Sequence, residues 1–205
     1  TQTLLAELNE AQSAAVRHTK GPAMIIAGAG SGKTRVLTYR LAYLIREKVC
    51  DSYELLALTF TNKASKEMRE RIETLIGADA RNITMGTFHS VFARILRRDA
   101  DKIGFTSSFT IYDEDDAVSL IRSIVKEMDK DDKKFKPKSI KNAISNCKNF
   151  LVSPQEYASK HVTDEFSQVA ADVYKIYQAR LLRSNAMDFD DLLSNMVALF
   201  DAAPE

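Results

Sequence analysis

The sequence has no tryptophan, two cysteines and four prolines in 205 residues, and no apolar run near the length of a membrane span. Each shortage excludes something. The longest apolar runs, around 23–29 and 55–60, fall far short of the roughly 20 residues a bilayer-crossing helix needs, so no membrane segment is expected. Cys50 and Cys147 lie far apart in no paired spacing, which argues against a disulfide framework or thiolate metal site and for reduced thiols in a cytoplasmic protein. The first ten residues lack a basic start followed by an apolar stretch, so no secretion signal is read there. Charge of one sign is also missing. With 29 basic residues against 28 acidic ones the net charge is +1, and the total gives no argument for nucleic acid. One uneven stretch holds Lys133, Lys134, Lys136, Lys138, Lys141 and Lys148 with no acid between them. It reads as a solvated face or, alternatively, as a patch that contacts phosphates.

What is present is enough apolar content, 45%, for one good core and a smaller second one. Over the first ninety residues short β-rich runs alternate with amphipathic helical patterns, the order of a parallel sheet with crossover helices. Residues 24–27 and 55–60 read as buried strands, and 83–85 as a weaker third. Helical spacing covers 34–48 and 62–76, with Gly77 as a stop. From about residue 88 the pattern becomes helix after helix, over 88–103, 115–128, 139–151, 166–182 and 189–200. The fold expected is therefore α/β, with a partial parallel sheet over 1–90 and an inserted, mostly helical domain over 91–185.

The chemistry concentrates at 27–34, which read Ala Gly Ala Gly Ser Gly Lys Thr, after an apolar run and before an amphipathic helix. That string in that context is a phosphate-binding loop. Its small residues, Ala29, Gly30, Ser31 and Gly32, let backbone amides turn toward a phosphate at a helix N-terminus. Lys33 would neutralise the β- and γ-oxygens, and the Thr34 hydroxyl would ligate magnesium. Ala27 stands where the usual leading Gly would be, at a position that must mainly be small. About fifteen residues upstream, Gln12 reads alone as a surface residue, yet its amide has the donor and acceptor an adenine edge requires. Arg35 follows the loop and offers a planar guanidinium to a purine ring.

Two further strings end strands. Leu Thr Phe Thr Asn Lys Ala at 58–64 places Phe60, Thr61 and Asn62 at the edge where open parallel sheets bind ligands. Phe60 reads either as a core residue or as an exposed ring on which a base stacks. Thr61 and Asn62 read as a helix cap or as phosphate donors. Gly Thr Phe His Ser at 86–90 repeats the arrangement with Thr87 and His89, the histidine alone being an ordinary hydrogen-bonded one.

Taken in order, these strings and Met Asp Phe Asp Asp Leu at 187–192 resemble superfamily 1 DNA helicases of the UvrD/Rep/PcrA type across essentially the whole chain. The resemblance implies a RecA-like nucleotide domain interrupted by a helical one, with 186–205 beginning the return to the first. It implies ATP with magnesium as cofactors, and 3′ to 5′ movement on single-stranded DNA at single-strand/duplex junctions, in repair or replication. By motif, Gln12 and Arg35 would hold adenine, Lys33 and Thr34 the phosphates and magnesium, and Phe60, Thr61, Asn62, Thr87 and His89 the strand. Two rivals remain at this point: a phosphotransferase acting on a small molecule, and a non-catalytic module in which nucleotide only stabilises the fold.

ATP hydrolysis also needs a carboxylate pair after a buried strand. Asp113 and Glu114 follow Phe109–Tyr112, but an acid-rich helix start comes next, so Asp113 reads as an N-cap. Asp188, Asp190 and Asp191 follow Arg183–Asn185, where no buried strand is read. The resemblance puts the pair some twenty residues beyond Glu205, and arginine fingers in a second RecA-like domain. Residues 1–205 alone are therefore expected to hydrolyse ATP negligibly.

Overall fold

A computed structural model describes residues 2–204. Its contacts divide the chain into two units, Thr1–Val91 and Phe92–Glu205. The first holds α1 (Gln2–Ala6), α2 (Glu10–Arg17), α3 (Lys33–Arg46), β1 (Leu56–Thr59), α4 (Asn62–Ile76) and β2 (Thr84–Thr87), and the division falls within α5 (Phe88–Asp99). The second holds β3 (Thr110–Tyr112), α6 (Glu114–Glu127), α7 (Pro137–Asn149), α8 (Pro154–Lys160), α9 (Glu165–Arg183), β4 (Ala186–Asp188) and α10 (Phe189–Ala202). The architecture is mixed α/β, mostly helical, with short parallel strands. Among the described residues no helix is long and apolar enough to cross a membrane.

In the first unit β1 and β2 pair in parallel, Leu56 opposite Thr84 through Thr59 opposite Thr87, with α4 as the connection between them. Residues 62–76 become a helix for local reasons. Thr61 Oγ1 accepts from the Ala64 amide at 3.1 Å to cap the start, and Gly77 at φ 65° ends it. Between these ends Met68 and Ile72, one turn apart, bury their side chains against Leu41, Ala57, Ile83 and Met85. Each such burial is worth about 1.5–3 kcal/mol. A second cluster of Leu4, Val16, Val36, Tyr39 and Ala42 joins α2 to α3.

The strand expected over 24–27 does not form. Met24 is 85% and Ile26 86% exposed, and no described strand pairs with this stretch. A buried parallel strand needs a hydrogen-bonded neighbour and a covered face; β1 is paired on one edge only, with β2, and leaves this run without either.

In the second unit Asp113 is the N-cap of α6, its Oδ1 accepting from the Asp116 amide at 2.8 Å. The strand β3 ends just before it. Residues 183–185, read from sequence as no buried strand, form none, but Ala186–Asp188 directly after them are β4, which is wholly buried and pairs in parallel with β3, Thr110 opposite Ala186. Asp188 caps α10 as Asp113 caps α6, Oδ1 accepting from the Asp191 amide at 2.8 Å. Both are therefore the same local device, a three-residue strand running into an acid-capped helix. The core here gathers Ile121, Ile124, Ile140, Ile144, Val173 and Tyr177, with a second cluster around Leu96, Phe109, Met187 and Leu192.

Candidate nucleotide and nucleic-acid site

The turn before α3 is shaped by its glycines. Gly30 and Gly32 sit at φ 76° and 83°, left-handed conformations that cost a side-chain-bearing residue about 1–2 kcal/mol. Gly32 is also hemmed in, because a Cβ there would lie 2.9 Å from Gln12 Nε2. Ser31 closes the turn with its Oγ donating to the Gly28 carbonyl at 2.7 Å. Lys33, the first residue of α3, curls back so that its ammonium donates to the carbonyls of Ala27 at 3.1 Å and Gly28 at 2.7 Å. Thr34 follows, exposed, in the first turn of the helix.

Gln12 lies on α2 and reaches this turn. Its Oε1 accepts from the Asn9 amide at 3.2 Å and its Nε2 donates to the Ser31 carbonyl at 3.0 Å. One side chain thus caps its own helix and holds the loop. With Asn9, Ile25, Ile26, Ala27 and Lys33 it lines a recess of about 270 Å³. Arg35 is engaged as well: Nη2 donates to Glu7 Oε2 at 3.1 Å, and the guanidinium carbon lies 5.3 Å from the centre of the Tyr39 ring. The Tyr39 hydroxyl donates to the same Glu7 oxygen. That bond above all, opposed by desolvation and helped by Arg35, holds the Glu7 carboxyl below its ordinary range. Sequence reasoning missed Glu7 and Tyr39. Their only signal is the spacing of Arg35 and Tyr39, one helical turn apart.

The second group of expected residues lies at the C-terminal ends of β1 and β2. Because Thr59 faces Thr87, the residues that follow them leave the sheet side by side. Phe60 is 92% exposed and meets Phe88 with ring centres 5.5 Å apart at a 41° tilt, so it is no core residue. Lone exposed aromatics are ordinary on surfaces. This one stands where parallel sheets offer ligands their strand ends. Thr61 caps α4 and Asn62 begins it. Thr87 Oγ1 accepts from the Ser90 amide at 3.2 Å and donates to Ser90 Oγ at 3.0 Å, fixing the start of α5, on which His89 is half-buried.

The lysine stretch of the second unit divides. Lys134 pairs on the surface with Glu165 at 2.7 Å, but Lys141 and Lys148 are buried and form neither a solvated face nor a phosphate patch. Lys148 Nζ lies 2.9 Å from Asp188 Oδ2 and 2.8 Å from Asp191 Oδ1, while Lys141 Nζ lies 2.8 Å from Asp190 Oδ2. Their spacing of seven residues puts both on one face of α7, toward α10. Tyr177 donates to Asp188 Oδ2 at 2.8 Å, and Gln178 to Asp191 Oδ1 at 3.0 Å. Burial opposes ionisation of Asp188, yet Lys148 outweighs it and holds that carboxyl low. Burial, reinforced by the charge on Asp188 and resisted by Lys148, pushes Asp191 up. Cys50 and Cys147 are both free thiols, and no three metal-ligating side chains cluster among the described residues.

Comparison with known proteins fits this arrangement. Residues 8–205 match the UvrD/REP helicase N-terminal domain. Over 202 residues the chain is 52% identical to the ATP-dependent DNA helicase PcrA of Staphylococcus epidermidis and, equally, to that of Staphylococcus aureus. In each case 98% of the chain is covered, and the chain spans 28% of the length of those curated relatives. With a glycine-built turn, a lysine at the helix start that follows it and a match over nearly the whole sequence, the chain belongs to the UvrD/REP helicase family and carries its N-terminal domain.

Proposed function

We propose that this chain forms the ATP-binding part of a 3′ to 5′ translocase on single-stranded DNA, in which its first unit is the beginning of a RecA-like domain. The second unit begins as the inserted helical domain, and 186–205 start the return. The observation that carries the reading is the presence in one small unit of two different surfaces: an exposed glycine turn with Lys33, and strand ends that present Phe60.

In the nucleotide part, the amides of Gly30, Ser31, Gly32 and Lys33, with Ala29 leaving room, bind phosphate oxygens. Lys33 exchanges two neutral carbonyl partners for charged oxygens, a stronger class of hydrogen bond. Magnesium fits the exposed Thr34 hydroxyl as one oxygen ligand, and the metal supplies neutralisation of developing phosphate charge. Gln12 and Arg35 hold the base.

In the strand-gripping part, one DNA base stacks on Phe60, and donors from Thr61, Asn62, Thr87 and His89 meet the phosphates. Nucleotide-driven closure then moves the strand past that ring. The longer substrate preference, a junction of single strand and duplex, belongs to the same reading.

The test is ATP hydrolysis by the full-length protein with and without a single-stranded oligonucleotide. Stimulation by the oligonucleotide, abolished in Lys33→Ala, is expected; hydrolysis that ignores DNA, or survives loss of Lys33, would refute the proposal.

A further inference from the structure

Arg35 is held by two residues that no motif in the sequence marks. Glu7, in the turn between α1 and α2, accepts from its Nη2 at 3.1 Å. Tyr39, one turn further along α3, lies under its guanidinium at 5.3 Å and donates its hydroxyl to the same Glu7 oxygen. The Tyr39 ring packs in the core of this unit, but an exposed ion pair adds little to stability, so stability does not account for Arg35 and the Tyr39 hydroxyl both meeting Glu7.

The geometry has a more specific use. A guanidinium is a flat plate with two faces and an edge of donors. Here the guanidinium carbon lies over a phenol ring and one nitrogen is bonded to a carboxylate, yet the Arg35 side chain remains 45% exposed. The Arg35 side chain starts beside the glycine turn, because a Cβ placed at Gly32 would be 3.7 Å from Arg35 Cβ, and Gln12 Nε2 would lie 2.9 Å from the same point.

We infer that Glu7 and Tyr39 are positioning residues, which hold the Arg35 guanidinium flat so that its open face receives the heteroaromatic base of a nucleotide bound at the loop. The inference rests on the nucleotide reading above. A long side chain fixed before binding loses less freedom when the base arrives, so both residues act on base affinity and leave phosphate affinity alone.

Calorimetric titration of the full-length protein with magnesium ATP and with magnesium tripolyphosphate separates the two contributions. Glu7→Gln and Tyr39→Leu should each weaken ATP by about three- to fivefold, the scale of an exposed cation–ring contact, with tripolyphosphate unchanged. Tyr39→Phe, which keeps the ring, should recover most of the Tyr39→Leu loss. In an Arg35→Ala background, Glu7→Gln should add nothing. Equal weakening of both ligands, or unchanged ATP affinity, would overturn the positioning role while leaving the nucleotide reading intact. A wild-type protein that binds neither ligand would overturn that reading and this inference with it.

Discussion

Two lysines measure the difference between the units. Lys33 is exposed and donates to two backbone carbonyls; Lys148 is buried and lies between two carboxylates. An ammonium taken out of water is tolerable only with close counter-charges, so Lys148, Asp188 and Asp191 are fixed to one another. Neutral carbonyls satisfy the Lys33 donors without cancelling the charge. Burial has turned one lysine into a fastener between α7 and α10, and exposure has left the other on neutral carbonyls, which the proposed function has it exchange for phosphate.

Substitution should break the symmetry between them sharply. Lys148→Met leaves two buried aspartates without their cation and should cost about 3–5 kcal/mol in urea denaturation, whereas Lys33→Met should stay within about 0.5 kcal/mol. Equal effects would show that the Lys148 cluster is not a closed structural unit.

Backbone conformation sharpens the same contrast. Gly32 at φ 83° is a glycine where one is needed, so Gly32→Ala should lose about 1–2 kcal/mol, read from the thermal midpoint, along with nucleotide affinity. Leu151 at φ 56° occupies the left-handed position that follows α7, where glycine is the usual residue. Leu151→Gly should therefore gain up to about 1 kcal/mol, and a loss would mean that its exposed side chain has a packing role.

The smallest effect concerns acid. Hydrogen bonds from Arg180 and then Ser123, against slight burial, hold the Glu127 carboxyl down at about 2, below the ordinary 4.5. Because the folded value lies below the unfolded one, this group's stabilisation is complete above about pH 4.5 and is lost as pH falls through about 2. Glu127→Gln should melt slightly below wild type at pH 6, with the gap closing toward pH 2. The pair is exposed, so a large gap at pH 6 would contradict the account.

How much the sequence disclosed depended on how local the cause was. The helix at 62–76 was legible because Thr61, the Met68–Ile72 spacing and Gly77 act within the segment itself. The cap at Asp113 was legible for the same reason, as was the need for glycine at 30 and 32 in the turn before α3. By contrast, the fate of 24–27 depends on a neighbouring strand, which no apolar run can announce for itself. Lys141 and Lys148 looked like surface charge because their partners come forty residues or more later; only their spacing of seven hinted at a shared face. The strand at 186–188 was hidden by its brevity, three residues being too few for a period to register. In the site, Lys33 and Phe60 were readable as motif members, but the grip of Glu7 and Tyr39 on Arg35 arises only when α1, α2 and α3 come together.

The most direct measurement is the affinity of the full-length protein for a fluorescent single-stranded oligonucleotide, by anisotropy, in wild type and Phe60→Ala. The account predicts weakening by roughly 1–3 kcal/mol with unchanged ATP affinity and unchanged folding stability, since the ring is 92% exposed. Undiminished DNA binding in Phe60→Ala would contradict it.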